Sequence, residues 1–273
     1  TDTTLGCVGN MTGSATVAIN SLPVAETVTG GGSFCAGGGG SHVGLANSVS
    51  GVNYQLYNGG LMVGTPVSGS TGALLDFGLE TTGGTYTATA TDATTGCLNL
   101  MAGSADITVL PTPVPYAVTI ENSGNYCAGD SGLHIMLVNS ETGVNYQMFR
   151  GTTVVGGTLA GTGTTLTLGL ETIAGTYTVV ANNPSSGCTS NMAGAATVNI
   201  VPLPDAHTVT GGGGFCPGGA GVAVGLDGSD AGIYYQLFNG TTPLGTLYGT
   251  GVSLNFGLQA APGTYTVIAN SAI

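Results

Sequence analysis

Apolar and polar residues alternate along most of this chain. That is the period-2 pattern of half-buried β-strands, and no segment carries the 3.6-residue apolar stripe of a helix. Val43 and Leu45 alternate with His42, Gly44 and Ala46, and Val52, Tyr54 and Leu56 with Asn53, Gln55 and Tyr57. Leu75, Phe77 and Leu79 form a third set, Tyr86, Ala88 and Ala90 a fourth, and Ile107 with Val109 a fifth. Residues 26–29 and 61–66 supply two more short stretches, and Asn58-Gly59 and Asn239-Gly240 are turn dipeptides that tolerate positive φ. The pattern predicts an all-β fold of antiparallel sandwiches, about seven strands to a unit, with one face of each sheet buried.

The same sets return along the chain. Ile135/Leu137, Val144/Tyr146/Met148, Leu166/Leu168/Leu170, Tyr177/Val179/Ala181 and Val198/Ile200 repeat the first series. Phe34-Cys35-Ala36-Gly37 recurs as Tyr126-Cys127-Ala128-Gly129 and Phe215-Cys216-Pro217-Gly218, a spacing of about 90 residues that marks tandem duplication. Leu22-Pro23, Val114-Pro115 and Leu203-Pro204 punctuate the copies, and the prolines make short, stiff linkers. The expected units are 23–114, 115–203 and 204–273, preceded by 1–22. Tyr86 follows a Gly-Gly turn near the start of the penultimate strand, the place of a tyrosine corner; an ordinary half-buried strand tyrosine fits the position equally well.

Composition removes whole classes of function. Of 273 residues, 51 are Gly, 13 are acidic and one, Arg150, is basic, for a net charge of -12. Nucleic-acid binding needs several Lys or Arg to displace counterions, so it is excluded. No run of about 20 apolar residues suggests a membrane span. Neither HExxH, CxxC nor a P-loop occurs, and Gly30-Gly31-Gly32 lacks the following helix and lysine of a phosphate cradle. His42 and His134 share a repeat position that holds Ala223 in the third copy, and alternation puts both on the polar face; they and His207 make no metal set. We expect no enzyme, no cofactor and no metal. Asn10-Met11-Thr12 and Asn239-Gly240-Thr241 fit glycosylation sequons at Asn10 and Asn239.

The run from Phe34-Cys35-Ala36-Gly37 through Gly51-Val52-Asn53-Tyr54-Gln55-Leu56-Tyr57 and Gly84-Thr85-Tyr86-Thr87 to Gly96-Cys97 resembles the immunoglobulin-like repeats of large secreted bacterial surface, adhesion and gliding proteins of Bacteroidetes type. The resemblance spans almost the whole chain. It implies an extracellular location and stacked domains, and it carries no catalytic residue.

The repeat is out of phase with the chain. Thr1-Asp2-Thr3-Thr4-Leu5-Gly6-Cys7 matches Thr91 to Cys97, and Gly13-Ser14-Ala15-Thr16-Val17-Ala18-Ile19 matches Gly103 to Val109. Residues 1–22 thus read as the last strand of a preceding unit, and unit three stops before its own. The expected consequence is an open groove around Leu254, Phe256, Tyr265 and Val267, filled by Ala15, Val17 and Ile19 of the next copy in head-to-tail strand donation. A window of a longer repetitive polypeptide is the competing account. Either yields an extracellular filament with copies of itself as partners; an adhesin module binding glycan or another cell surface is the alternative function.

The six cysteines share the phase shift. Pairing within units would join Cys35 to Cys97 and Cys127 to Cys188, leaving Cys7 to meet Cys216 of a neighbour. In the standard immunoglobulin strand order the two loops of each pair lie at opposite ends, so pairing between adjacent units, such as Cys35 with Cys188, remains the other possibility.

Overall fold

Each alternating stretch beyond residue 25 forms a strand. A computed structural model describes Gly6 and residues 8–271, within two compact units, Thr1–Thr112 and Pro113–Ile273. In the first unit the strands are β1 (Val28–Gly30), β2 (Gly32–Cys35), β3 (Ser41–Leu45), β4 (Val52–Asn58), β5 (Leu61–Ser68), β6 (Leu75–Glu80), β7 (Gly84–Asp92), β8 (Leu98–Leu100) and β9 (Ala105–Leu110). They form a three-stranded sheet, β1-β3-β6, and a six-stranded sheet, β2-β9-β7-β4-β5, with β8 also on β7. Val43, Leu45 and Leu75 from the first sheet pack with Tyr54, Leu56, Tyr86, Ala88 and Ile107 from the second, so the alternation resolves into one buried face per sheet.

The second unit holds the series twice. Its first copy comprises β10 (Val118–Ile120), β11 (Asn125–Cys127), β12 (Leu133–Leu137), β13 (Asn145–Arg150), β14 (Thr153–Ala160), β15 (Leu166–Glu171), β16 (Gly175–Asn182), β17 (Thr189–Asn191) and β18 (Ala196–Val201). Its sheets are β10-β12-β15 and β11-β18-β16-β13-β14, with β17 on β16. The second copy has β19 (Val209–Gly211), β20 (Val222–Leu226), β21 (Ile233–Asn239), β22 (Thr242–Tyr248), β23 (Leu254–Gln259) and β24 (Tyr265–Ser271). These form β19-β20-β23 and β22-β21-β24.

The complete copies carry two strands beyond the seven expected, for local reasons. The opening strand breaks at Gly30-Gly31: β1 pairs antiparallel with β3, while β2 crosses to the other sheet and runs parallel to β9. Gly30 sits at φ +93, and a Cβ there would fall on the His42 backbone, so only glycine fits. In the middle copy a 3₁₀ turn, Glu121–Gly124, makes the same crossing with Asn122 and Ser123 at positive φ. The other addition is β8, three residues on the edge of β7. The parallel β2–β9 and β11–β18 pairs are departures from an otherwise antiparallel sandwich.

Polar side chains fix the sandwich ends. The hydroxyl of Tyr86 donates to Thr82 O at 2.8 Å, Tyr177 to Ile173 O at 2.7 Å and Tyr265 to Ala261 O at 2.7 Å, which makes all three tyrosine corners. A second tyrosine series, Tyr54, Tyr146 and Tyr235, accepts from the backbone N–H of Val49, Glu141 and Asp230. Gln55 and Gln147 donate to Val63 O and Val155 O where the β4–β5 and β13–β14 registers shift.

Candidate assembly site

The third copy differs from the other two at one edge. In the first copy β7 is an interior strand: β4 pairs along one side, while β8 and β9 pair along the other, at Thr89–Thr91 and Gly84–Tyr86. β16 is flanked in the same way by β13, β17 and β18. β24 pairs with β21 alone among the described residues, so its far edge presents unpaired backbone groups. Residues 213–216, the counterparts of β2, form no strand; among the described residues β2 pairs with the last strand, β9.

Side chains register the same gap. Tyr86 and Tyr177 are buried to within 1 %, as are Ala88 and Val179, whereas Tyr265 and Val267 are half-buried. Phe215 is 40 % exposed, while Tyr126 at the same repeat position is buried. Two openings of about 350 and 360 Å³ flank this edge, one lined by Phe215, Val222 and Tyr265, the other by Leu226, Val267 and Ala269. Leu254 and Phe256 lie on β23 and line neither opening. They are half-buried, as Phe77, Leu166 and Leu168 are in the complete copies.

The expected donor segment forms no strand in the described residues, and its apolar side chains face solvent. Val17 is 94 % exposed, against 3 % for its counterpart Ile107, and Met11 86 % against 6 % for Met101. Ala15 corresponds to Ala105 and Ala196, both buried. Ile19 corresponds to Val109 and Ile200, which stay 37 % and 42 % exposed in the complete copies. Met11 is therefore a core-type position that alternation misses. The signal for it was the methionine shared by Met11, Met101 and Met192.

Pairing of cysteines within each copy is corrected by the structure. Cys97, Cys127 and Cys216 are free thiols, whereas Cys35 and Cys188 are in disulfides, so neither a Cys35–Cys97 nor a Cys127–Cys188 bridge forms. The reason is distance. Cys35 lies beside Leu110 where the last strand leaves the sandwich, and Ala36 N–H donates to Leu110 O at 2.8 Å. Cys97 caps the opposite end, where its carbonyl accepts from Asp92 N–H at 2.9 Å. Most of the length of β7 separates the two ends, on the order of 25 Å at about 3.3 Å per residue, and a disulfide needs Cα atoms within about 7 Å. Cys7 lies outside the described residues.

The other candidate residues are locally satisfied. His42 pairs with Asp76 at 2.9 Å, His134 with Glu121 at 3.0 Å and His207 with Asp230 at 3.2 Å. Backbone N–H donation from Gly78, with help from His42, holds the Asp76 carboxyl below its ordinary value. The N–H of Asp205 and then His207 do the same for Asp230. Among the described residues no three His, Cys, Asp or Glu side chains gather as a metal set. No described helix is long and apolar enough to cross a membrane. Asn10 is exposed, while the Asn239 amide donates to Pro262 O at 3.3 Å.

Residues 114–202 match the family model for the Ig-like domain, CHU_C associated. The middle copy is thus immunoglobulin-like by sequence as well as by strand order. Solved structures similar to the chain include three N-terminal domains of the bacteriophage RB49 highly immunogenic outer capsid protein, at 13 % identity and TM-score 0.31, covering 90 % of this chain and 96 % of that one. A run of titin domains matches at 13 % identity and TM-score 0.33, covering 92 % and 90 %. Fibronectin(III)-like modules of Clostridium thermocellum CbhA match at 15 % identity and TM-score 0.27, covering 64 % and 95 %. No curated protein matches the sequence.

Proposed function

We propose that the chain is a structural subunit of an extracellular filament, in which residues 8–22 of one copy supply the missing strand of the third sandwich of the next. The observation that carries this reading is the coincidence of a strand-shaped gap with a strand-like segment whose apolar side chains are uncovered. The β24 edge lacks the neighbour that β7 and β16 have, and Met11, Ala15 and Val17 repeat the buried Met101, Ala105 and Ile107. Added beside β24, such a strand gains its hydrogen bonds on one side and those of residues 213–216 on the other, as β9 does between β7 and β2. Full burial of Val17 alone contributes about 1.5–3 kcal/mol.

The contact is heterologous, with different surfaces on the two copies, so it propagates rather than closing. A fold of repeated sandwiches tied by tyrosine corners suits reach and strength. An extracellular setting agrees with disulfides at Cys35 and Cys188, which persist where the surroundings are oxidising. Electron microscopy of the purified chain tests the reading: thin filaments of the native protein and single particles of Val17→Asp support it. Filaments of undiminished length from Val17→Asp would refute it.

A further inference from the structure

Asparagine precedes glycine at Asn58-Gly59 and Asn239-Gly240, and the middle copy has Arg150-Gly151 at the same repeat position. An Asn-Gly pair is prone to close on itself, because glycine has no side chain to obstruct its own nitrogen as that atom approaches the asparagine amide carbon. In both copies the fold engages both reacting groups. The Asn58 amide donates to Gly83 O at 3.3 Å, and Gly59 N–H to Thr85 O at 3.2 Å. The Asn239 amide donates to Pro262 O at 3.3 Å, and Gly240 N–H to Thr264 O at 3.0 Å. Each side chain lies over a glycine, Gly84 or Gly263, where a Cβ would fall on the asparagine Oδ1. What differs is the support behind these bonds. In the first copy residues 84–86 pair with Ile107, Asp106 and Ala105 of β9, and the Thr85 hydroxyl donates to Asp106 at 2.7 Å. Residues 263–265 have no strand on that side among the described residues, and Gly263 and Thr264 are exposed. Local opening is more frequent where fewer contacts hold a segment closed.

We propose that Asn239 is a site of spontaneous deamidation, gated by the open edge of β24, with Asn58 as its guarded counterpart. The Gly240 nitrogen, after losing its proton to solvent base, attacks Asn239 Cγ. The new N–C bond replaces the one to the side-chain nitrogen, which leaves as ammonia, and a succinimide ring results. Water then opens the ring at either carbonyl, giving aspartate or isoaspartate. The sum is amide plus water to carboxylate plus ammonium, with no redox partner. Either product puts a carboxylate where an amide donated to Pro262 O. Isoaspartate also lengthens the main chain by one carbon between β21 and β22, which shifts Gly240 N–H from Thr264 O. Residues 261–264 carry the Tyr265 corner, so the reaction loosens the third sandwich at its open edge. Chains left unassembled thereby age out of the pool of acceptors. That last consequence rests on strand donation, in which a strand beside β24 clamps residues 263–265 as β9 clamps 84–86.

The test follows the Asn58 and Asn239 peptides by mass spectrometry while Val17→Asp chains, which stay single, are held warm at near-neutral pH. Pepsin digestion in acid halts the reaction and suits a chain with one basic residue. Electron-transfer fragmentation tells isoaspartate from aspartate. In the folded chain we expect Asn239 to be lost several-fold faster than Asn58, with isoaspartate among the products; in denaturant the two are lost at similar rates. Equal rates in the folded chain, or faster loss of Asn58, would overturn the proposal, as would a difference of the same size in denaturant. Adding a peptide of residues 8–22 is expected to slow Asn239 to the rate of Asn58. If Asn239 stays fast in peptide excess, the deamidation site stands and strand donation falls.

Discussion

Tyrosine hydroxyls tie the loops of these sandwiches to their strands at fixed intervals. Tyr177 is fully buried, and its hydroxyl is the side-chain partner of Ile173 O. Tyr177→Phe leaves that carbonyl without it, and we expect a loss of about 1 kcal/mol, read as a lower melting temperature by calorimetry. Acidic residues give a second handle. The carboxyl of Asp227 is held low chiefly by Thr208 N–H, and that of Asp230 by Asp205 N–H. A depressed folded-state value adds stability above the ordinary aspartate range near about 4, and that stability disappears as the pH falls through the folded value. Thermal melts between about pH 5 and 2 will therefore decline steadily, and Asp230→Asn will flatten the decline. At this scale the sequence was informative where function and pattern coincide. The tyrosine corner was one of two readings open for Tyr86, and the hydrogen bond to Thr82 decides it. The partners of His42 and His134 were not legible, because Asp76 comes from a different strand and Glu121 from a turn.

At the scale of elements, the outcome turns on which strand edges are covered. Amides of β24 on its open side will exchange quickly in single chains and slowly in filaments, a contrast that hydrogen-exchange mass spectrometry reads directly. Corresponding amides of β16 will be slow in both. The donor positions rank by the burial of their counterparts. Met11→Asp and Val17→Asp will block elongation, whereas Ile19→Asp will slow it less, since Val109 and Ile200 stay partly exposed in complete sandwiches. Comparing rates by light scattering checks the order. Alternation located the long strands because a period of two reports one buried face. It did not show the crossing at Gly30-Gly31 or the parallel β2–β9 pair. Those depend on a glycine-only conformation and on a partner about 75 residues away, neither of which alters the local pattern. The cysteine geometry was partly legible: repeat spacing alone gives only the position of each cysteine along the chain, but the standard immunoglobulin strand order already set the two loops of each pair at opposite ends.

For the whole molecule, composition sets the conditions of assembly. A net charge of -12 with a single basic residue makes copies repel one another, so raising ionic strength from low to physiological will speed elongation by screening that repulsion. The tandem organisation was legible in the chain, because repetition compares the sequence with itself and needs no three-dimensional information. The central claim is that residues 8–22 complete the third sandwich of another copy. Its most direct test adds a peptide of residues 8–22 to a chain that begins at residue 23 and follows amide exchange across β24. The account predicts strong new protection along β24 and in residues 213–216, saturating at one peptide per chain, with none in β7 or β16. Unchanged exchange at β24 in peptide excess would contradict it.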